Sequence, residues 1–232
     1  MMINRFFSAS AAIAIVGVGL ASGAAAQAQA NPPAPNPQRG AEIAAQGTPA
    51  GAPGCAQCHA FNGASDGTGA FPRVAGQSAY YLAKQLRDFA SGVRDNAVMS
   101  PVAKAMTPAD IADVAAYYAG VQAPFLPLPK PDIALVKQGE QIAAVGNEGR
   151  SVQACNNCHG PGGAGEPPAI PYLAGQYAPY IALELRMWQR GFRRSSANEM
   201  AFVSKQITDQ EMAAVAAYYQ QIRASGELAN SQ

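Results

Sequence analysis

Between Ser78 and Ser91, the residues Tyr81, Leu82, Gln85, Leu86 and Phe89 fall at the i, i+4 spacing of a helix that buries one face. A segment of similar pattern, Ala178 to Arg190, predicts a second helix of the same kind, and Arg39–Gln46 and Leu135–Val145 predict two shorter ones. Thr107 is followed three positions on by Asp110, and Thr208 by Glu211. A Thr at the N-cap with an acid at N3 is a capping-box pattern, so two further helices are predicted to open there. No stretch sustains the alternation that a strand needs, so the chain is expected to be all-α.

At the N-terminus, Arg5 precedes the apolar run Ala11–Leu20, and small residues follow at Ala24–Ala26 and Ala28–Ala30. That order predicts a signal peptide over residues 1–30, cleaved near 26 or 30. The run is shorter than the roughly 20 apolar residues of a membrane span, which leaves an uncleaved anchor as the lesser alternative. The mature chain is therefore expected in an oxidising exported compartment, the periplasm.

The most informative pattern is a repeat. Cys55-Ala56-Gln57-Cys58-His59 recurs as Cys155-Asn156-Asn157-Cys158-His159. Upstream, Arg39-Gly40-Ala41-Glu42-Ile43 matches Gln138-Gly139-Glu140-Gln141-Ile142. Downstream, Pro72-Arg73-Val74-Ala75-Gly76-Gln77 matches Pro171-Tyr172-Leu173-Ala174-Gly175-Gln176, and Val114-Ala115-Ala116-Tyr117-Tyr118 returns unchanged at Val215–Tyr219. The blocks keep their order, so the chain reads as a duplicated domain: 31–123, a linker at 124–131, and 132–232. Four prolines between Val121 and Pro131 favour an extended strap that limits how the two copies tumble. Gly40 and Gly139 sit inside helices, where Gly costs about 1 kcal/mol relative to Ala. Close crossing against Tyr117/Tyr118 and Tyr218/Tyr219 would explain both.

Composition adds two constraints. An apolar fraction of 49% supports packed cores, whereas 23 Gly and 18 Pro imply much loop, wrapped around something other than side chains. Cleavage of the leader removes one of 16 basic residues and leaves 15 against 15 acidic ones. A neutral chain lacks the basic footprint of a nucleic-acid binder.

The chain has four Cys and two His, and all six lie in the two C-x-x-C-H pentapeptides. That signature attaches haem c: the sulfurs add across the vinyl groups as thioethers, and the adjacent His is brought beneath the iron. A four-cysteine zinc site, a redox dithiol or simple disulfides would use C-x-x-C as well, but none accounts for His after both pairs. Cys55, Cys58 and His59 are assigned to one haem, and Cys155, Cys158 and His159 to a second. With no His left over, the sixth ligand is expected to be Met, the His/Met arrangement that raises the reduction potential. Met99 aligns with Met200. Met106, Met187 and Met212 have packing explanations, Met106 as a hydrophobic staple before Thr107. Pro72 and Pro171 stand where their carbonyls can take the second ring N–H of each His.

These motifs resemble the class I cytochrome c fold, duplicated as in the dihaem cytochrome c4 family, over about Arg39 to Ile222. The resemblance implies two all-helical domains facing each other, each around a covalent haem, and an electron carrier rather than an enzyme. The expected partners are redox proteins: a terminal oxidase, a cytochrome bc1 complex or a dehydrogenase. Peripheral membrane association stays open, and the chain is expected to be a monomer or weak dimer. A haem subunit of a periplasmic dehydrogenase complex is the alternative. A peroxidase-like enzyme would need an open or labile iron site and nearby acid–base groups, and a register-matched Met in both copies with no spare His argues against it. Arg73 faces Tyr172 in the alignment, so any propionate contact it makes is unshared. The turn Arg190-Gly191-Phe192-Arg193-Arg194 is expected to be a solvated face, with an interdomain or docking patch as the alternative.

Overall fold

A computed structural model describes residues 34–128, 131–195 and 198–223. The leader, and Pro129 and Lys130 of the linker, lie outside the described residues. Helix α1 (Pro37–Gln46) starts where the Asn36 side chain accepts from the amides of Gln38 and Arg39, and stops at Gly47 with φ of +86°. Its counterpart α6 (Ile133–Val145) is capped by Asp132 and stops at Gly146, again at φ +86°. The same kind of cap and the same glycine stop thus bound both helices, of 10 and 13 residues.

Each copy continues with a one-turn helix ending on the motif histidine, α2 (Ala56–His59) and α7 (Asn156–His159). A longer helix follows, α3 (Ala79–Ser91) or α8 (Ala178–Gln189), then a short one, α4 (Met99–Lys104) or α9 (Glu199–Gln206). The last are α5 (Pro108–Gly120) and α10 (Asp209–Gln221), and both open on the full capping boxes expected at Thr107/Asp110 and Thr208/Glu211. Among the described residues there are isolated β-bridges and no named strand, and no helix is long and apolar enough to cross a membrane.

Helix α1 packs on α5, and α6 on α10. A Cβ on Gly40 would lie 2.1 Å from the Asp113 carbonyl oxygen and 2.8 Å from Tyr117 Cβ. At Gly139 the same test meets Ala214 O at 2.0 Å and Tyr218 Cβ at 2.8 Å. Gly is therefore required by the crossing, as the repeat implied. Ile43, Ala44, Val114 and Tyr118 centre the first core, and Met106 packs beside Ile111, the staple position. The second core is larger and includes Ile142, Leu185, Met212, Val215 and Tyr219.

The copies are joined along a broad seam. Arg94 and Arg193 form an antiparallel bridge, flanked by Asp95 N–H to Phe192 O at 2.7 Å and Arg194 N–H to Val93 O at 2.9 Å. Arg193 is 4% exposed and Arg94 5%, which corrects the expectation of a solvated arginine turn for Arg193. Arg190 and Arg194 remain exposed. Within the seam the Glu184 carboxylate pairs with Arg94 at 2.7 Å and with Arg193 at 2.6 Å. Gln85, the first-copy counterpart of Glu184, accepts from both guanidiniums at 2.8 and 2.9 Å. Arg73 donates to the carbonyls of Ala123 and Pro124 and stacks on Phe125, so its buried guanidinium fastens the strap. Farther along the strap, the Phe125 ring packs against Gly175 of the second copy.

Candidate functional site

Each C-x-x-C-H motif wraps one helical turn, which places the two thiols three residues apart and the His at the turn's end. The chain then reverses: Ala60 has φ +58° and Gly160 φ +75°. Ser65 N–H donates to His59 O at 2.9 Å and Gly165 N–H to His159 O at 2.7 Å, closing the loop that follows. Tyr118 and Tyr219 hold this loop from the terminal helices. Gly63 is packed under the Tyr118 ring and Gly163 under Tyr219. The Tyr118 hydroxyl donates to Ala60 O, and that of Tyr219 to Asn156 Oδ1. The sequence pointed to these tyrosines only as helix-crossing partners; their hydroxyl contacts to the motif loops leave no local signature.

His59 Nδ1 lies 3.1 Å from Pro72 O, and His159 Nδ1 lies 2.9 Å from Pro171 O. A carbonyl only accepts, so the ring proton sits on Nδ1 in both, and Nε2 is left with its lone pair. Burial pushes the pKa of both rings down, only partly opposed by the proline carbonyls. A neutral imidazole with a fixed tautomer and a free Nε2 is the form that binds a metal.

Burial also pushes the Cys55 thiol up to about 11, and raises Cys155. Neither carries the low pKa of a reactive dithiol. Cys55 packs on the first core and Cys155 on the second, so the four sulfurs do not converge. Among the described residues no group of three or more His, Cys, Asp or Glu is arranged to hold a metal ion. The arrangement suits one thioether-anchored group per copy, not one shared ion.

Met200 packs against the second core, as Cys155 does. Met99 stands at the start of α4, half-buried, with its amide and that of Val98 held by Asn96 Oδ1 at 2.9 Å. Met212 is 1% exposed within the second core, as expected of a packing residue. One further observation fits a haem: Trp188 Nε1 is buried with no hydrogen-bond partner among the described residues. A buried N–H without an acceptor costs about 1–3 kcal/mol, and an acidic substituent of a bound group would satisfy it. Arg193 stacks on the same indole at 3.7 Å from the ring centroid.

Comparison with known proteins agrees with this geometry. Residues 37–122 match the family described as Cytochrome c, and residues 144–218 the family described as Cytochrome C oxidase, cbb3-type, subunit III. A thiosulfate dehydrogenase electron acceptor from Thiomonas intermedia is 38% identical over 72% of this chain and 78% of its own length. Cytochrome c4 from Pseudomonas aeruginosa is 33% identical over 72% of this chain and 82% of its own. Among solved structures, cytochrome c4 from Pseudomonas stutzeri superposes with a TM-score of 0.71 at 28% identity, over 82% of this chain and all of that one. A thiosulfate dehydrogenase from Marichromatium purpuratum gives 0.74 at 36% identity over 80% of this chain, which spans 40% of that longer one. The chain belongs to the dihaem cytochrome c4 family: tandem class I cytochrome c domains with covalently bound haem c, forming an electron carrier rather than an enzyme.

Proposed function

We propose that this chain is a periplasmic dihaem shuttle that passes electrons between respiratory proteins, towards a terminal oxidase. Thioethers at Cys55/Cys58 and Cys155/Cys158 hold the haems, His59 and Met99 ligate the first iron, and His159 and Met200 the second. The domains divide at the strap, 124–131, and residues 1–30 direct export. When bound, haem c supplies a one-electron iron couple; the protein supplies ligands held in fixed orientations so that little rearranges on oxidation or reduction. Proline carbonyls orient the imidazoles, and the tyrosines of α5 and α10 hold the loops that follow.

The observation that carries this reading is the equivalence of the two sites. In each copy the motif His donates Nδ1–H to a proline carbonyl and keeps Nε2 available, and a register-matched Met follows. A second reading is the electron-acceptor subunit of a periplasmic dehydrogenase. It is favoured by the names of the Thiomonas and Marichromatium proteins.

Stopped-flow mixing separates the two. A shuttle, reduced beforehand with ascorbate, is reoxidised through both haems by membranes containing a terminal oxidase and sediments alone. A dedicated subunit is reduced by thiosulfate only with its dehydrogenase present, and sediments with it.

A further inference from the structure

Beside the two histidines, each domain reaches across to a peptide group of the other. Pro72 O, which accepts from His59 Nδ1, and Arg73 N–H belong to the same peptide group. That N–H donates to Gln176 Oε1 of the other domain at 2.9 Å, and Gln176 Nε2 donates back to Arg73 O at 2.8 Å. The mirror contact exists: Tyr172 N–H, on the peptide whose carbonyl is Pro171 O, donates to Gln77 Oε1 at 3.4 Å, and Gln77 Nε2 donates to Tyr172 O at 3.3 Å. Both glutamines are 6% exposed. Each domain's glutamine therefore grips the amide plane that orients the other domain's histidine.

We propose that Gln176 and Gln77 are cross-domain positioning residues for the proximal histidines, with Gln176 acting more strongly on the first site than Gln77 on the second. The inference rests on His59 and His159 being the iron ligands. When a peptide N–H donates, resonance puts more negative charge on the oxygen of the same peptide, so hydrogen bonds on its two sides strengthen each other. Gln176 thus makes Pro72 O a better acceptor, gives the His59 ring more imidazolate character, and favours the oxidised iron. The 2.9 Å bond lies at the usual N–H···O distance, whereas 3.4 Å is beyond it. The glutamine arm of the relay is accordingly stronger at the first site, where the histidine arm is the longer, 3.1 against 2.9 Å. It supplies one physical source of unequal potentials, lowering the first relative to the second.

The test uses the full-length holoprotein and three variants, Gln176→Leu, Gln176→Glu and Gln77→Leu. Each haem's midpoint is followed through its own methyl resonances during stepwise oxidation. Gln176→Leu is expected to raise the midpoint of the haem on Cys55/Cys58 and leave the other in place. Gln176→Glu keeps the acceptor oxygen and is expected to hold that midpoint at or below its starting value. Gln77→Leu should give a smaller rise, confined to the haem on Cys155/Cys158. Amide exchange at Arg73 should quicken roughly threefold to tenfold in Gln176→Leu, as for loss of one ordinary hydrogen bond. A shift on the haem of the mutated domain, an equal shift on both, or faster exchange with no shift would overturn the proposal and leave these glutamines as interface glue. Failure of the ligand assignment reads differently, because the unmodified protein would then lack hyperfine-shifted ring resonances from His59 and His159.

Discussion

Gly40 and Gly139 have no room for even one carbon, because each backbone lies against a facing carbonyl oxygen. Gly→Ala in a helix interior normally gains about 1 kcal/mol, whereas forcing a carbon into a packed contact costs about 1–3 kcal/mol and occasionally more. The clash decides the sign here, since the oxygen belongs to helix backbone that cannot swing away. Gly40→Ala is expected to destabilise by about 2 kcal/mol net, which lowers the melting temperature by roughly 5 °C in a domain pair of this size. Calorimetry on the holoprotein checks it, and a raised melting temperature would mean that the crossing is looser than described. The motif residues were legible at this scale because C-x-x-C-H is contiguous. The tyrosine hydroxyls on the loops were not, because nothing near Tyr118 or Tyr219 in sequence marks what lies across the helix.

Helices and caps were readable where a few neighbouring residues decide them, as at Thr107 and Thr208. Asn36, Ser78 and Asp132 also accept from amides two or three positions on. None of these three is expected as a cap from the sequence, whose pattern begins α1 and α6 two residues late, at Arg39 and Leu135. Thr107→Ala should cost about 1 kcal/mol, measured as loss of stability in denaturant. The strap is a different case. Its prolines predicted an extended segment, but its fastening depends on Arg73, some fifty residues earlier in the chain. In the sequence Arg73 stands out because Tyr172 takes its place in the second copy, so that any propionate contact it makes is unshared. Its buried guanidinium meets two strap carbonyls and the Phe125 ring, partners that no local pattern marks. Arg73→Leu is expected to release about 2 kcal/mol of local stability, a typical value for hydrogen bonds from a charged group. Proteolysis within 121–128 should then run roughly thirtyfold faster while the helices stay protected.

At the scale of the molecule, the seam is where the duplication stops being symmetric. Glu184 in one copy replaces Gln85 in the other, so a single buried carboxylate serves Arg94 and Arg193, with Tyr81 and Tyr180 beside them. Burial alone would raise the Glu184 pKa, but the two guanidiniums outweigh it and hold the group below its ordinary 4.5. A carboxyl depressed in the folded state contributes stability that is complete above the unfolded value and is lost as pH falls through the folded one. Breaking a buried pair by removing one partner costs about 3–5 kcal/mol. Glu184→Gln should therefore melt earlier than the unmodified protein at pH 7, and the gap should narrow once pH drops below about 4.5. A gap that persists at pH 3 would place the stabilisation elsewhere. The alignment revealed both arginines but not this arrangement, because pairing across a seam depends on how two finished domains meet.

The central claim is that one chain holds two equivalent six-coordinate electron-transfer centres. Its most direct test is the mass and near-infrared spectrum of the mature protein alongside Met99→Ala and Met200→Ala. A mass gain of two haems, with each substitution removing half of the methionine–iron charge-transfer band, is the predicted result. A single haem, or an unmodified iron that binds cyanide as readily as the Met variants do, would contradict it.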